Sequence, residues 1–160
     1  MLVLGSIDDK LCLCDWKNRK SREKIDKRIL TFYEAEFNEK KTPLIETAQS
    51  QLNEYFNAER KLFDLPLGLA GSSFQIEIWS LLGQIPYGTT TTYKKLSIKY
   101  GKPAATRAVA NANGANALSI LIPCHRVVGS NGSLVGYAGG LTVKKKLLLL
   151  EGSQSQLTLF

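Results

Sequence analysis

The chain has 160 residues, 44% of them hydrophobic and 22% charged, with a formal net charge of +7. That is ordinary for a soluble globular protein and long enough to bury the core of one large domain or two small ones. No apolar run reaches the roughly 18–20 residues of a membrane span, the opening MLVLGSIDDK lacks the basic start of a secretion signal, and three cysteines, an odd number, point to a reducing cytosol rather than a disulfide framework.

The charge is uneven. Residues 1–71 carry 12 basic and 12 acidic side chains, whereas residues 72–160 carry 9 and 2 and hold the whole excess. Such asymmetry suggests that the second part faces a polyanion, nucleic acid foremost; a solvated basic face is the competing reading.

In chain order, LVLGSI and LCLCDW flank a DDK turn and read as a β-hairpin. Residues 17–28, KNRKSREKIDKR, form a charged connection, a solvated loop or helix. Thr42–Pro43 opens a helix to about Phe56, with Leu44, Ala48, Leu52 and Tyr55 on one face. A short strand is expected near Lys61–Leu65, and LPLGLAGSS is the linker. Ser72 or Ser73 caps a helix to about Leu82. TTTTYKKLSIKYGK and KPAATRAVANANGAN give two short helices around a Gly-containing turn, a helix-turn-helix pattern, with Gly114 just past the second. VVGSNGSLVG reads as a two-stranded wing turning at Asn131–Gly132, and TVKKKLLLLEG as a last helix stopped by Gly152. The second helix of the pair is built of small residues with Arg107 as its one charge; it either approaches a narrow groove closely or packs inside the fold.

The chemistry concentrates in ILIPCHRVVG. His125 is the single histidine, so Cys124 is the one cysteine with a neighbouring base, and a thiolate helped by an imidazole is a nucleophile. Side chains of adjacent strand residues point to opposite faces, so a working pair needs irregular backbone, which Pro123 favours, or a bridging water. Glu151 is one of two acids in the basic part and sits where a helix dipole disfavours a carboxylate, which suggests a specific partner such as an oriented imidazole. A zinc site lacks ligands, so Cys12 and Cys14 read as core thiols, and no metal or cofactor is implied.

IPCHRVVG, the following GYAGGL, the helix ending LLLLEG and the upstream FQIEIWSLLGQIPYGTTTTYKKL together resemble the O6-alkylguanine-DNA alkyltransferases, the methylated-DNA–protein-cysteine methyltransferases. The likeness covers about residues 70–152 and is looser before that. It implies an α/β (α+β) protein: a small ribonuclease-H-like α/β domain over 1–70, a mainly helical winged helix-turn-helix domain over 71–152 and a tail over 153–160. Cys124 would accept the alkyl group, His125 would take its proton through water, and Glu151 would orient His125. Asn116 would brace the active-site turn, and Tyr93 would donate toward guanine N3. Arg107 would fill the gap left by a nucleotide flipped from the minor groove of double-stranded DNA, with Ala105, Thr106, Ser130, Lys102 and Lys94 also on the DNA side. Tyr137 and Val127 would line the base pocket, and Lys144 would position the loop beside it. The substrate would be O6-alkylguanine, with O4-alkylthymine a second target of the same chemistry. Departures from the family pattern are Asn116–Ala117 where Asn-Pro is common, Ser119 where a second proline is frequent, and Thr106 in place of alanine. A cysteine hydrolase and a non-catalytic DNA-binding winged helix are the rival readings. The end of the chain, Gln156, Leu157, Thr158, Leu159 and Phe160, resembles the QLxLF peptide that docks bacterial replication proteins on the sliding clamp.

Overall fold

The computed structural model describes residues 1–153, so the peptide Gln156–Phe160 lies outside the described residues. Strands β1 (Leu2–Ile7) and β2 (Lys10–Trp16) form the expected antiparallel hairpin. Asp8 and Asp9 both take left-handed φ, 48° and 55°, the geometry that lets a two-residue turn follow the right-handed twist of its strands. Leu11 to Asp15 of β2 are all buried. The reason is that the second edge of β2 is also covered. Leu11 bonds the backbone of Pro66 and Gly68, and Cys14 bonds that of Ala117 and Ser119. The hairpin thus braces the segment that leads to Cys124. β1 and β2 make a two-stranded sheet.

Helix α1 (Arg22–Tyr33) buries Ile25 and Ile29, so the charged connection is in large part helical and runs further than its charges suggest. Helix α2 (Pro43–Phe56) starts where expected, capped by Thr42 with proline in its first turn. The strand expected at Lys61–Leu65 does not form. The Gln51 side chain takes both backbone groups of Asp64, each at 3.0 Å, so a side chain from α2 stands where a neighbouring strand would have bonded, and extended pairing begins at the Leu11–Leu67 bridge.

Helix α3 (Ser73–Gly83) opens with a reciprocal capping box between Ser72 and Gln75. A two-residue strand β3 (Thr91–Thr92) leads into α4 (Tyr93–Lys99), capped by Thr92, and Gly101 turns the chain at φ 83°. A 3₁₀ turn at Pro103–Ala105 precedes α5 (Thr106–Gly114), in which Gly114 is the last helical residue rather than the first beyond it. The Ser97 hydroxyl in α4 meets both the Pro103 carbonyl and the Thr106 hydroxyl and ties the two helices together.

The two-stranded wing is not formed. Strand β4 (Val127–Val128) pairs in parallel with β3, and the turn at Asn131–Gly132 closes through a bond from Gly129 N to Ser133 O. The Lys144 ammonium of helix α6 (Leu141–Leu150) collects the carbonyls of Val127, Val135 and Gly136. Those are carbonyls that a second wing strand would have used. One apolar cluster runs from Leu11, Leu52 and Tyr55 through Trp79 and Leu82 to Ile122, Cys124 and Leu147, so residues before and after the linker share a core.

Candidate active site

Asn116 shapes the loop that delivers Cys124. Its carbonyl oxygen accepts from Leu118 N at 2.9 Å and its amide donates to Ile122 O at 2.9 Å, closing residues 116–122 around one buried side chain. Inside this loop Ile120 has a φ of 73°, a costly conformation for a β-branched residue that only its surroundings can hold. Pro123 then sits at φ −78°, ψ 59°, with Cys124 N donating to Ile122 O at 2.7 Å. This is an inverse γ-turn. It breaks any strand before the thiol, and Cys124–Arg126 follow as a 3₁₀ turn. Cys124 and His125 are therefore free of the strand alternation that would hold them apart.

His125 and Glu151 are both buried, and His125 Nε2 lies 2.8 Å from Glu151 Oε1. Glu151 caps the C-terminus of α6, against the helix dipole. Three side chains offset that cost with four bonds. Arg126 forks onto both carboxylate oxygens at 2.8 and 2.9 Å, the Tyr55 hydroxyl donates to Oε1 at 2.7 Å, and His125 donates the fourth bond. Burial pushes the Glu151 carboxyl up, but the bonds from His125 and Arg126 overcome it and hold the group at about 2. With Arg126 neutralising the carboxylate, burial prevails at His125 and lowers its pKa despite Glu151. The imidazole is then neutral with its proton on Nε2, and Nδ1, which has no hydrogen-bond partner among the described residues, keeps a lone pair for accepting a proton.

Cys124 faces a cavity of about 620 Å3 whose walls include Trp16, Tyr93, Asn113, Asn116, Tyr137 and Val143. Burial raises the thiol pKa, and the Asn116 amide and the Lys144 ammonium oppose the rise. The thiol is thus held protonated until a base acts on it. Burial also raises Tyr93, to about 12, so its hydroxyl is a donor at neutral pH. Lys144 is buried and lowered by that burial to about 8, yet its three carbonyl contacts pin the loop over the cavity.

Of the residues expected at the site, Cys124, Asn116, Tyr93 and Tyr137 line one cavity, while His125, next to Cys124 in the 3₁₀ turn, is bonded to Glu151. Val127 does not line it. It is fully buried in the core because β4 pairs with β3, and Val143 from α6 occupies the wall instead. Arg107, Lys94, Lys102 and Ser130 are exposed, Ala105 is half-buried, and the half-buried Thr106 directs its hydroxyl to Ser97 and Pro103. Sequence reasoning missed four contributors. Tyr55 was read only as part of an apolar helix face and Trp16 only as a strand end. Arg126 carried a signal, an arginine beside the histidine that Glu151 was expected to serve. Arg19 lay in a segment read as solvated, but it is buried, bonds Asp15 at 2.6 Å and reaches the carbonyls of Gly114 and Asn116 at the end of α5.

Residues 73–153 match the family model described as 6-O-methylguanine DNA methyltransferase, DNA binding domain. The chain is 50% identical over 106 residues to a methylated-DNA–protein-cysteine methyltransferase of Methanosarcina acetivorans, covering 66% of this chain and 68% of that protein. It is 48% identical over 110 residues to the constitutive methylated-DNA–protein-cysteine methyltransferase of Bacillus subtilis, covering 69% and 67%. The fold superposes on the crystal structure of Mycobacterium tuberculosis OGT in complex with DNA with a TM-score of 0.80 at 37% identity, over 96% of this chain and 88% of that one. The match over residues 73–153, which hold the buried Cys124 and the His125–Glu151–Arg126 cluster, together with relatives about half identical, identifies the chain as a member of the 6-O-methylguanine DNA methyltransferase family.

Proposed function

We propose that this chain repairs DNA by moving an alkyl group from O6 of guanine onto Cys124, once per molecule. The observation that carries this is the thiol itself. It opens on a cavity large enough for a flipped base, and the next residue carries a neutral imidazole held by a compensated carboxylate. In the reaction Nδ1 of His125 takes the Cys124 proton through a water. The sulfur attacks the alkyl carbon, the S–C bond forms, and the C–O6 bond breaks with its electron pair going to the purine. Tyr93 protonates guanine N3 as the base leaves, and the proton lost by Cys124 makes good the one given up, so charge balances. The product thioether is stable and no described residue lining the cavity is suited to remove it, hence a single turnover. A base inside a duplex cannot reach a buried thiol, so the nucleotide must flip.

The finer architecture belongs to the same reading. Helices α4 and α5 act as the helix-turn-helix on the minor groove, with Arg107 filling the gap in the stack. Ala105 and Thr106 give close approach, while Lys94, Lys102 and Ser130 contact the backbone. Residues 71–152 do this work, and residues 1–70 are an α/β brace that is ribonuclease-H-like in its hairpin-and-helix layout. Three free buried cysteines support a reducing cytosol, and the peptide Gln156–Phe160 is a docking segment for a bacterial sliding clamp. No helix among the described residues is long and apolar enough to cross a membrane.

Incubation with duplex DNA carrying labelled O6-methylguanine tests the reaction. One label per protein, on Cys124, with no second turnover is expected, and Cys124→Ala should bind DNA without taking label. Repeated turnover on an acyl substrate without DNA would favour a cysteine hydrolase. Unimpaired function in Cys124→Ala would favour a non-catalytic DNA-binding protein.

A further inference from the structure

Two cavities meet at Met1 and Trp16. The cavity holding Cys124 occupies about 620 Å3, and a groove of about 890 Å3 lies on the N-terminal half against Leu4, Ile45, Leu52 and Phe56. Their linings have Met1 and Trp16 in common and no other described residue. The indole therefore stands between the reacting thiol and a second, partly apolar space.

Three contacts fix the indole there. Trp16 ends β2, paired with Leu2 across the hairpin. Its Nε1 donates to the Tyr137 hydroxyl at 3.1 Å, with the rings edge-on at 6.2 Å. It also lies so close to Gly139 that a Cβ on that residue would fall 2.7 Å from the indole. Only glycine lets the loop after Tyr137 close against this ring. A side chain so constrained is a wall and not a flexible filler.

We propose that Trp16 sets the largest alkyl group this protein accepts, by partitioning the Cys124 cavity from the groove beyond it. The proposal rests on the alkyl-transfer reading of Cys124 and assigns a specificity-determining residue to the N-terminal half. A methyl group fits on the thiol side of the indole. A bulky arylmethyl group bound beside Tyr137 needs the space the indole closes off.

Duplex oligonucleotides carrying O6-methylguanine or O6-benzylguanine, reacted separately with the full chain, test this, with the Cys124 adduct followed by intact-protein mass. Trp16→Ala joins the two spaces and should raise the benzyl-to-methyl rate ratio by about tenfold or more, the scale on which a pocket discriminates apolar groups by size. Trp16→Phe keeps most of the wall but loses the bond to Tyr137, and should leave the ratio close to that of the unmodified protein. Trp16→Leu, which keeps a branched apolar side chain in place, carries the same expectation as Trp16→Ala if that variant does not fold. An unchanged ratio in the Ala and Leu variants overturns the proposal, because the alkyl group then never reaches the indole. An equal rise in Trp16→Phe overturns it too, because the Tyr137 bond and not the wall would then govern size. Failure of the unmodified protein to form any methyl adduct would sink the alkyl-transfer reading itself and is read from a separate arm.

Discussion

A single carboxylate organises the chemistry of this chain. Glu151 receives Arg126, His125 and Tyr55, and removing its charge would leave a buried guanidinium without a counter-ion. Its carboxyl lies at about 2 in the folded chain against an ordinary value of 4.5. A group depressed on folding contributes stability above its unfolded pKa and loses it as pH falls through the folded one. The contribution is about 3 kcal/mol, present above pH 4.5 and lost progressively toward pH 2. His125, also depressed, acts in the same direction, since the unfolded chain gains its proton from about pH 6.5 downward while the buried ring resists. Urea midpoints at pH 7 and pH 3 should therefore drop with acid in the unmodified protein. Glu151→Gln should start about 3–5 kcal/mol lower, the cost of breaking a buried pair, and lose less on acidification. An equal acid-induced drop in both proteins would contradict the assignment.

At the scale of elements, α4 and α5 show how a helix pair can be fastened internally and still offer a reactive outer face. Ser97 and Thr106 hold the turn, Val109 and Ala112 are buried, and Arg107 projects into solvent. The arginine matters in this scheme only while a nucleotide is being extruded from a duplex. Arg107→Ala should slow transfer from duplex O6-methylguanine by about 10–100-fold, in line with the few kcal/mol that unstacking costs. Transfer from the free base O6-methylguanine, which needs no flipping, should proceed at the unmodified rate. Time courses on the two substrates check this, and equal losses on both would show that Arg107 supports the fold or the thiol instead. The expected wing shows the opposite outcome. Its turn residues are present, but Lys144 gathers the carbonyls and β4 finds its partner in β3.

Across the whole molecule, the part without net charge is bound into the reactive part at several buried points. Tyr55 reaches Glu151, Arg19 reaches the end of α5, and β2 pairs with the chain at Ala117 and Ser119. The site is therefore not a property of residues 73–153 alone, although that is the stretch the family model matches. The proposed clamp peptide is independent of that assembly. Deleting residues 156–160 should abolish binding to a purified bacterial sliding clamp and leave the rate of transfer to Cys124 unchanged. Clamp affinity equal to that of the full chain would exclude the docking role.

The sequence by itself determined the chemistry and the local elements. A lone histidine beside a cysteine, an isolated acid at a helix end, threonine and serine caps, and a proline before the thiol are local signals. Local backbone and side-chain preferences act on them directly. Tertiary structure decided what depends on distant partners. Gln51 displaced a strand at Asp64, the Lys144 ammonium displaced a wing strand, pairing of β4 with β3 moved Val127 into the core, and the fold brought Tyr55 to Glu151 and placed Arg19 and Trp16 in the cavity of a thiol more than a hundred positions away. These outcomes turn on which buried polar group finds which partner. That competition is settled only when the chain closes on itself, because a buried donor or acceptor takes whichever partner packing brings within reach.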